Sequence, residues 1–136
     1  MKKIVALQDK GNSGKTMTVK LVFDKLKAKY PAASAHIHKC NPDIKVVMNI
    51  NGIKVGIESR GDPNSRLKKS LSFFVNEKCA IIICSARLRG MTVDWINEYA
   101  NQYHIEYVKQ TYESQSNKQS AVNNATADKM ISKAGL

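Results

Sequence analysis

Gly11, Asn12, Ser13, Gly14, Lys15 and Thr16 are the residues whose types and spacing most clearly suit chemistry, reading GNSGKT between a short apolar run and a helix-like stretch. Glycines let successive backbone N–H groups turn towards one point, where they can meet phosphate oxygens. A lysine then adds charge at the terminal phosphates, and the Ser or Thr hydroxyl after it can ligate magnesium. This spacing predicts a phosphate cradle from Gly11 to Gly14, with Lys15 on the terminal groups and Thr16 on the metal. The complete pattern carries another glycine five positions before Gly14, where this chain has Asp9. Asp9 places a carboxylate at the mouth of an anion site unless it turns outward or helps to hold the loop.

A cradle of this kind needs a strand before it and a helix after it. Lys3 to Leu7 is a strand-type run, and Thr16 through Tyr30 sets Val19, Val22, Phe23, Leu26 and Tyr30 on one stripe at helical spacing. On these residues the chain resembles the P-loop nucleoside triphosphatase superfamily, with a degenerate Walker A motif. The motifs that carry the resemblance extend as far as Gly90, and the remainder follows it by element order alone. The resemblance implies binding of a nucleoside triphosphate with Mg2+, and a carboxylate at the end of a neighbouring strand that holds the metal directly or through water. Glu58 and Gly61 have the spacing of an Asp-x-x-Gly motif with Glu for Asp, the glycine N–H being placed to sense the terminal phosphate. Asp62 is the competing metal ligand. Each also has a plainer role: Glu58 as the cross-strand partner of Lys45, and Asp62 as the cap of a helix whose first residue is Pro63.

The chain has 136 residues, 22 Lys and Arg against 11 Asp and Glu, and a net charge of +11. That length predicts one domain, large enough for a three-layer core and too small for a separate substrate domain. The positive field favours polyanions, which nucleotides and nucleic acid both satisfy. Cys40, Cys79 and Cys84 are odd in number, and the last two flank an apolar strand, which suits buried thiols in a reducing cytoplasm. No apolar run approaches the roughly 20 residues a membrane span needs, so no membrane partner is expected. Met-Lys-Lys leads into too short an apolar stretch for a signal-peptide core.

Further along, Tyr30-Pro31 ends the first helix. Ala35 to Lys39 alternates as a short strand, on which His36 and His38 share a face with Cys40 beyond. Three ligands on one short strand converge poorly on zinc, and no fourth is evident. Ile44 to Ser59 reads as a hairpin about Asn51-Gly52. Pairing across that turn sets Ile50 against Ile53, Met48 against Val55, Val46 against Ile57 and Lys45 against Glu58, making one face uniformly apolar. Asn64 to Val75 is the next predicted helix. Cys79 to Cys84, reading CAIIIC, suits a central strand buried on both faces. Arg87 and Arg89 follow at its carboxyl end, where open α/β sheets bind ligands. Val93 to Tyr103 is another helix and His104 to Val108 a last strand. Residues 109–118 form a polar mobile loop or linker, and 118–133 a C-terminal helix without a broad apolar stripe.

The expected architecture is a three-layer P-loop NTPase-like α/β domain spanning 1–136, with a mainly parallel sheet and an antiparallel hairpin at one edge. The expected activity is binding and hydrolysis of a nucleoside triphosphate, with Lys15, Glu58, Arg87 and Arg89 as the catalytic set. The absence of an Asn-Lys-x-Asp motif after any strand leans towards ATP. Two alternatives stand beside it: a small kinase that moves the γ-phosphate to a nucleotide, polynucleotide or small acceptor, and a nucleotide-dependent switch or nucleic-acid-binding module without catalysis. Homo-oligomers are compatible with every reading.

Overall fold

Asn51 and Gly52 both adopt positive φ, 51° and 86°, which is the backbone a two-residue type I′ turn requires. The turn is closed by Asn49, whose Oδ1 accepts the Gly52 N–H at 2.9 Å. It joins β3 (Lys45–Ile50) to β4 (Ile53–Glu58), and the register has Ile50 opposite Ile53, Met48 opposite Val55, Val46 opposite Ile57 and Lys45 opposite Glu58, as the alternation requires. The computed structural model describes residues 2–9, 15–39, 43–60, 66–110 and 116–136, with 9, 15, 16, 116 and 117 described by backbone alone.

The remaining elements are β1 (Lys3–Asp9), α1 (Lys15–Lys29), β2 (Ser34–Lys39), α2 (Leu67–Asn76), β5 (Ile81–Arg87), α3 (Met91–Asn97), β6 (His104–Lys109) and α4 (Ser116–Ala134). The strands form one sheet of six in the order β2-β3-β4-β5-β1-β6. β1 is parallel to β5 and β6, and β4 is parallel to β5. β3 runs antiparallel to both β2 and β4, so it is the one reversed strand. The hairpin therefore does not sit at the edge as expected. Its second strand belongs to the parallel part, and β2 takes the edge.

The apolar strands β1 and β5 lie in the middle, with Ile4, Val5, Ala6, Leu7, Ile82, Ile83 and Cys84 wholly buried. Such runs need cover on both faces, and the helices supply it as two outer layers. Val19, Val22 and Leu26 of α1 pack with Ala127 and Met130 of α4 on one face, against Val5, Leu7, Ile57 and Ile83. Leu67, Leu71 and Phe74 of α2 and Ile96 of α3 cover the other, against Ile4, Ala6, Ile82 and Cys84. The α2 layer sits close: a Cβ on Gly56 would lie 2.5 Å from the Phe74 ring, so glycine is what lets this helix reach β4.

Several boundaries differ from the sequence reading. β5 begins at Ile81 and continues through Arg87, because an apolar run buried on both faces has no alternation to mark its ends. Cys79 precedes the strand, and its carbonyl accepts the Tyr103 hydroxyl at 2.6 Å. α2 starts at Leu67, with Arg66 at the cap position and no side-chain capping bond; Asp62 and Pro63 lie outside the described residues. α3 stops at Asn97, and tighter turns follow, in which the Tyr99 and Ala100 N–H groups reach Ile96 and Asn97 carbonyls. The weak C-terminal helix closes the sheet. Its small residues let it settle onto α1, where Lys25 meets Asp128 at 3.1 Å and the Tyr30 hydroxyl reaches the Leu136 carbonyl at 2.6 Å.

Cys79 and Cys84 are free and buried. Burial pushes their thiols up to about 11 and about 12. Cys40 lies outside the described residues. Among the described residues, no helix is long and apolar enough to cross a membrane, and no group of three His, Cys, Asp or Glu could hold a metal ion.

Candidate functional site

β1 and β5 are adjacent and parallel, with Asp9 directly opposite Arg87. From Asp9 the chain continues into α1 on one face of the sheet, and from Arg87 it continues into α3 on the other. Neighbouring strands whose connections depart to opposite faces leave a crevice at their carboxyl ends, which is where open α/β sheets hold ligands. Gly11, Asn12, Ser13 and Gly14 belong to the connection from β1 and lie outside the described residues. Lys15 and Thr16 form the first two positions of α1, with their side chains outside the description.

Strand alternation assigns the remaining candidates to faces. Val5 and Leu7 point to the α1 face, and so do Ile81 and Ile83, which turns Arg87 there too. Arg87 is half-buried, while Arg89 is exposed beyond the strand, in the bend that runs to α3 through Gly90 at φ 95°. The two arginines therefore part company at the sheet edge. Gln8 ties the two strand ends together from the other face: its side-chain amide donates to the carbonyls of Arg87 and Leu88 at 3.3 and 3.5 Å. The Arg87 N–H in turn donates to the Thr92 hydroxyl at 3.0 Å.

Glu58 ends β4, and β5 stands between it and β1. It is not on the strand next to the glycine-rich segment. Val55 and Ile57 point to the α1 face, so alternation turns Glu58 to the α2 face. There its carboxylate is fully buried and its oxygens are engaged. Arg66 donates from Nε to Oε1 at 2.6 Å and from Nη2 to Oε2 at 2.9 Å. The Ser70 hydroxyl donates to Oε1 at 2.7 Å, and the Arg60 N–H donates to Oε2 at 3.2 Å. The cross-strand register with Lys45 is present, but the ionic partner is Arg66; the Lys45 ammonium lies 4.6 Å from the centroid of the Phe73 ring. Gly61 and Asp62 lie outside the described residues.

Two polar groupings that the sequence reading did not single out support this end of the sheet. Ser59 accepts the Ile44 N–H on Oγ at 2.8 Å and donates to Asp43 at 3.0 Å. Its carbonyl accepts the buried Ser85 hydroxyl at 2.5 Å, pinning the end of β4 to the end of β5. On the α1 face, Thr18 donates to Gln110 at 3.0 Å and Gln110 to Asn123 at 2.8 Å, all buried. This chain fixes the first turn of α1 to the end of β6 and to α4. The available signal was Thr18 between Met17 and Val19 and Ser85 between Cys84 and Ala86, since buried polar groups come in satisfied sets; Ser59, Gln110 and Asn123 each have a polar neighbour and carried none.

No protein-family model, curated protein or solved structure matches this chain.

Proposed function

We propose that this domain binds a nucleoside triphosphate at the carboxyl ends of β1 and β5 and hydrolyses it, with ATP the favoured substrate. The observation that supports the reading is the opposition of Asp9 and Arg87, because the connection containing GNSGKT leaves β1 beside the strand end that carries Arg87, and open α/β sheets bind ligands at such strand ends. In this reading the N–H groups of Gly11 to Gly14 cradle the phosphates, and the N-terminus of α1 adds its dipole. Lys15 neutralises the terminal oxygens, and Arg87, on the same face as α1, meets charge that develops on the γ-phosphoryl group.

Magnesium, when bound, would supply positive charge that offsets that of the phosphates. Thr16 is the residue that would hold it. The Glu58 carboxylate could serve it only by giving up Arg66 and Ser70, so this reading gives Glu58 a part in holding the loop after β4 before any part at the metal. Asp62 remains the other candidate acid.

The test is calorimetric titration with ATP and magnesium, followed by thin-layer analysis of labelled γ-phosphate. Lys15→Ala is expected to weaken binding at least tenfold, since a charge-assisted phosphate contact contributes about 1.5–3 kcal/mol. Unchanged affinity would overturn the reading. Free phosphate as product means hydrolysis, a labelled acceptor means a kinase, and neither means a switch.

A further inference from the structure

On its α2 face the sheet is covered only in part. α2 lies over β4 and β5, leaving β2 and β3 open beside it, and every residue of β2 is exposed. Between these two strands and the end of α2 is a groove of ≈ 460 Å³, to which His36, His38, Asn49, Lys54 and Glu77 contribute. The two histidine rings in it are in contact, with centroids 4.4 Å apart, and His38 meets Phe73, beside the groove, edge-on at 4.9 Å. His38 is held below the ordinary histidine range, first by burial and then by His36 and Lys45, so near neutral pH it offers an uncharged ring.

The charge around these rings is positive. Lys54 lines the groove, Lys45 lies over the Phe73 ring beside it, Lys39 ends the same strand as the two histidines, and Lys69 stands one turn before Phe73 on α2. Glu77 opposes them. Glu58, on the same face, is already paired with Arg66. A row of planar rings flanked by ammonium groups matches a chain of bases joined by phosphates, because every base has a face to stack and every linkage carries a charge. The net charge of +11 agrees with that partner.

We propose that this groove is a binding site for single-stranded nucleic acid, with His36 and His38 stacking on bases and Lys45 and Lys54 meeting the backbone. It lies on the sheet face opposite α1, so it stands or falls separately from the triphosphate reading. Histidines at alternate positions of one strand could also begin a transition-metal site, but no third ligand joins them among the described residues.

The experiment is fluorescence anisotropy of a labelled 12-nucleotide oligothymidine in 50–200 mM KCl with the full chain. Wild type is expected to bind with an affinity that falls as salt rises, and Lys15→Ala to bind equally well. His36→Ala/His38→Ala should weaken binding about tenfold or more at every salt concentration, while His36→Phe/His38→Phe should restore most of it. Lys54→Gln should lower the salt slope by about 0.7. Melting curves establish that each variant is folded, which these exposed positions permit. Absence of binding at 50 mM KCl, wild-type affinity in the histidine-to-alanine variant, or loss of binding in the phenylalanine variant to the level of the alanine one would each overturn the proposal. So would restoration of oligonucleotide binding only on adding zinc, which would make the histidines metal ligands.

Discussion

Glu58 and Arg66 form a bidentate ion pair, at 2.6 and 2.9 Å, in which the carboxylate is wholly buried and the guanidinium partly exposed. Its ends bracket the loop between β4 and α2, so it fixes where that loop begins and where the helix starts. Among the described residues, Arg66→Ala would leave the buried carboxylate with Ser70 and one backbone N–H. Removing one member of a buried pair costs about 3–5 kcal/mol, and the exposure of Arg66 lowers this to about 2–4 kcal/mol. A fall in Tm on the order of 10 °C is expected by calorimetry. Arg66→Lys should recover less than half, because an ammonium cannot engage both oxygens. A loss under about 1 kcal/mol for Arg66→Ala would place the pair among solvated surface bridges. Glu58→Gln should likewise lower Tm; if turnover with magnesium collapses while Tm stays put, the carboxylate serves the metal after all.

Gly56 and Phe74 give a second, geometric expectation. With only 2.5 Å between a new Cβ and the ring, Gly56→Ala must displace α2 or rotate Phe74. We expect a loss of about 1–3 kcal/mol in urea denaturation, as for other overpacked cores. Adding Phe74→Leu should return part of it, with a coupling above about 0.5 kcal/mol between the two changes. Strict additivity would show that the helix yields without strain.

The buried thiols predict a pH dependence. Cys84 titrates at about 12 and Cys79 at about 11 in the folded chain, against 9.0 for an ordinary thiol. Because the folded values are raised, the native state holds more protons than the unfolded state between pH 9 and 12. The slope of stability against pH is negative there, so this contribution is complete below about pH 9 and is lost as pH rises. Burial likewise raises Tyr107 to about 12 from 10.0. Melting temperature should therefore decline steadily above pH 9. In a Cys40→Ser background, dithionitrobenzoate at pH 8 should find no reactive thiol until denaturant is added; rapid native reaction would contradict the burial.

Arg87 and Arg89 separate the catalytic reading from simple charge. Arg87 stands opposite Asp9 on the α1 face, and Arg89 lies in the exposed bend towards α3. Arg87→Ala is expected to lower turnover by at least a hundredfold with little change in KM, as for a group that meets charge only in the transition state. Arg89→Ala should stay within about threefold of wild type if solvent screens it. Full turnover in the double variant would remove arginine from the phosphoryl chemistry.

By itself the sequence determined the features that local pattern encodes. Asn51-Gly52 and strict alternation were enough to set the β3/β4 register, since a slip by one would turn every apolar side chain outward. The GNSGKT spacing and the stripe from Val19 to Leu26 were enough to anticipate a strand, a connection and a helix. Alternation even contained the face of Glu58, because Val55 and Ile57 share the opposite one. Tertiary structure decided the rest. Nothing local says that β5 inserts between β1 and β4, because strand order follows from how crossover helices pack and not from the strands' own residues. Arg66 became the partner of Glu58 only when Gly56 let α2 close on the sheet. The extent of β5 was hidden because burial on both faces leaves no period to read. The C-terminal helix has too few large apolar groups to declare a face, and α1 supplied the surface onto which Ala127, Met130 and Ala134 could pack.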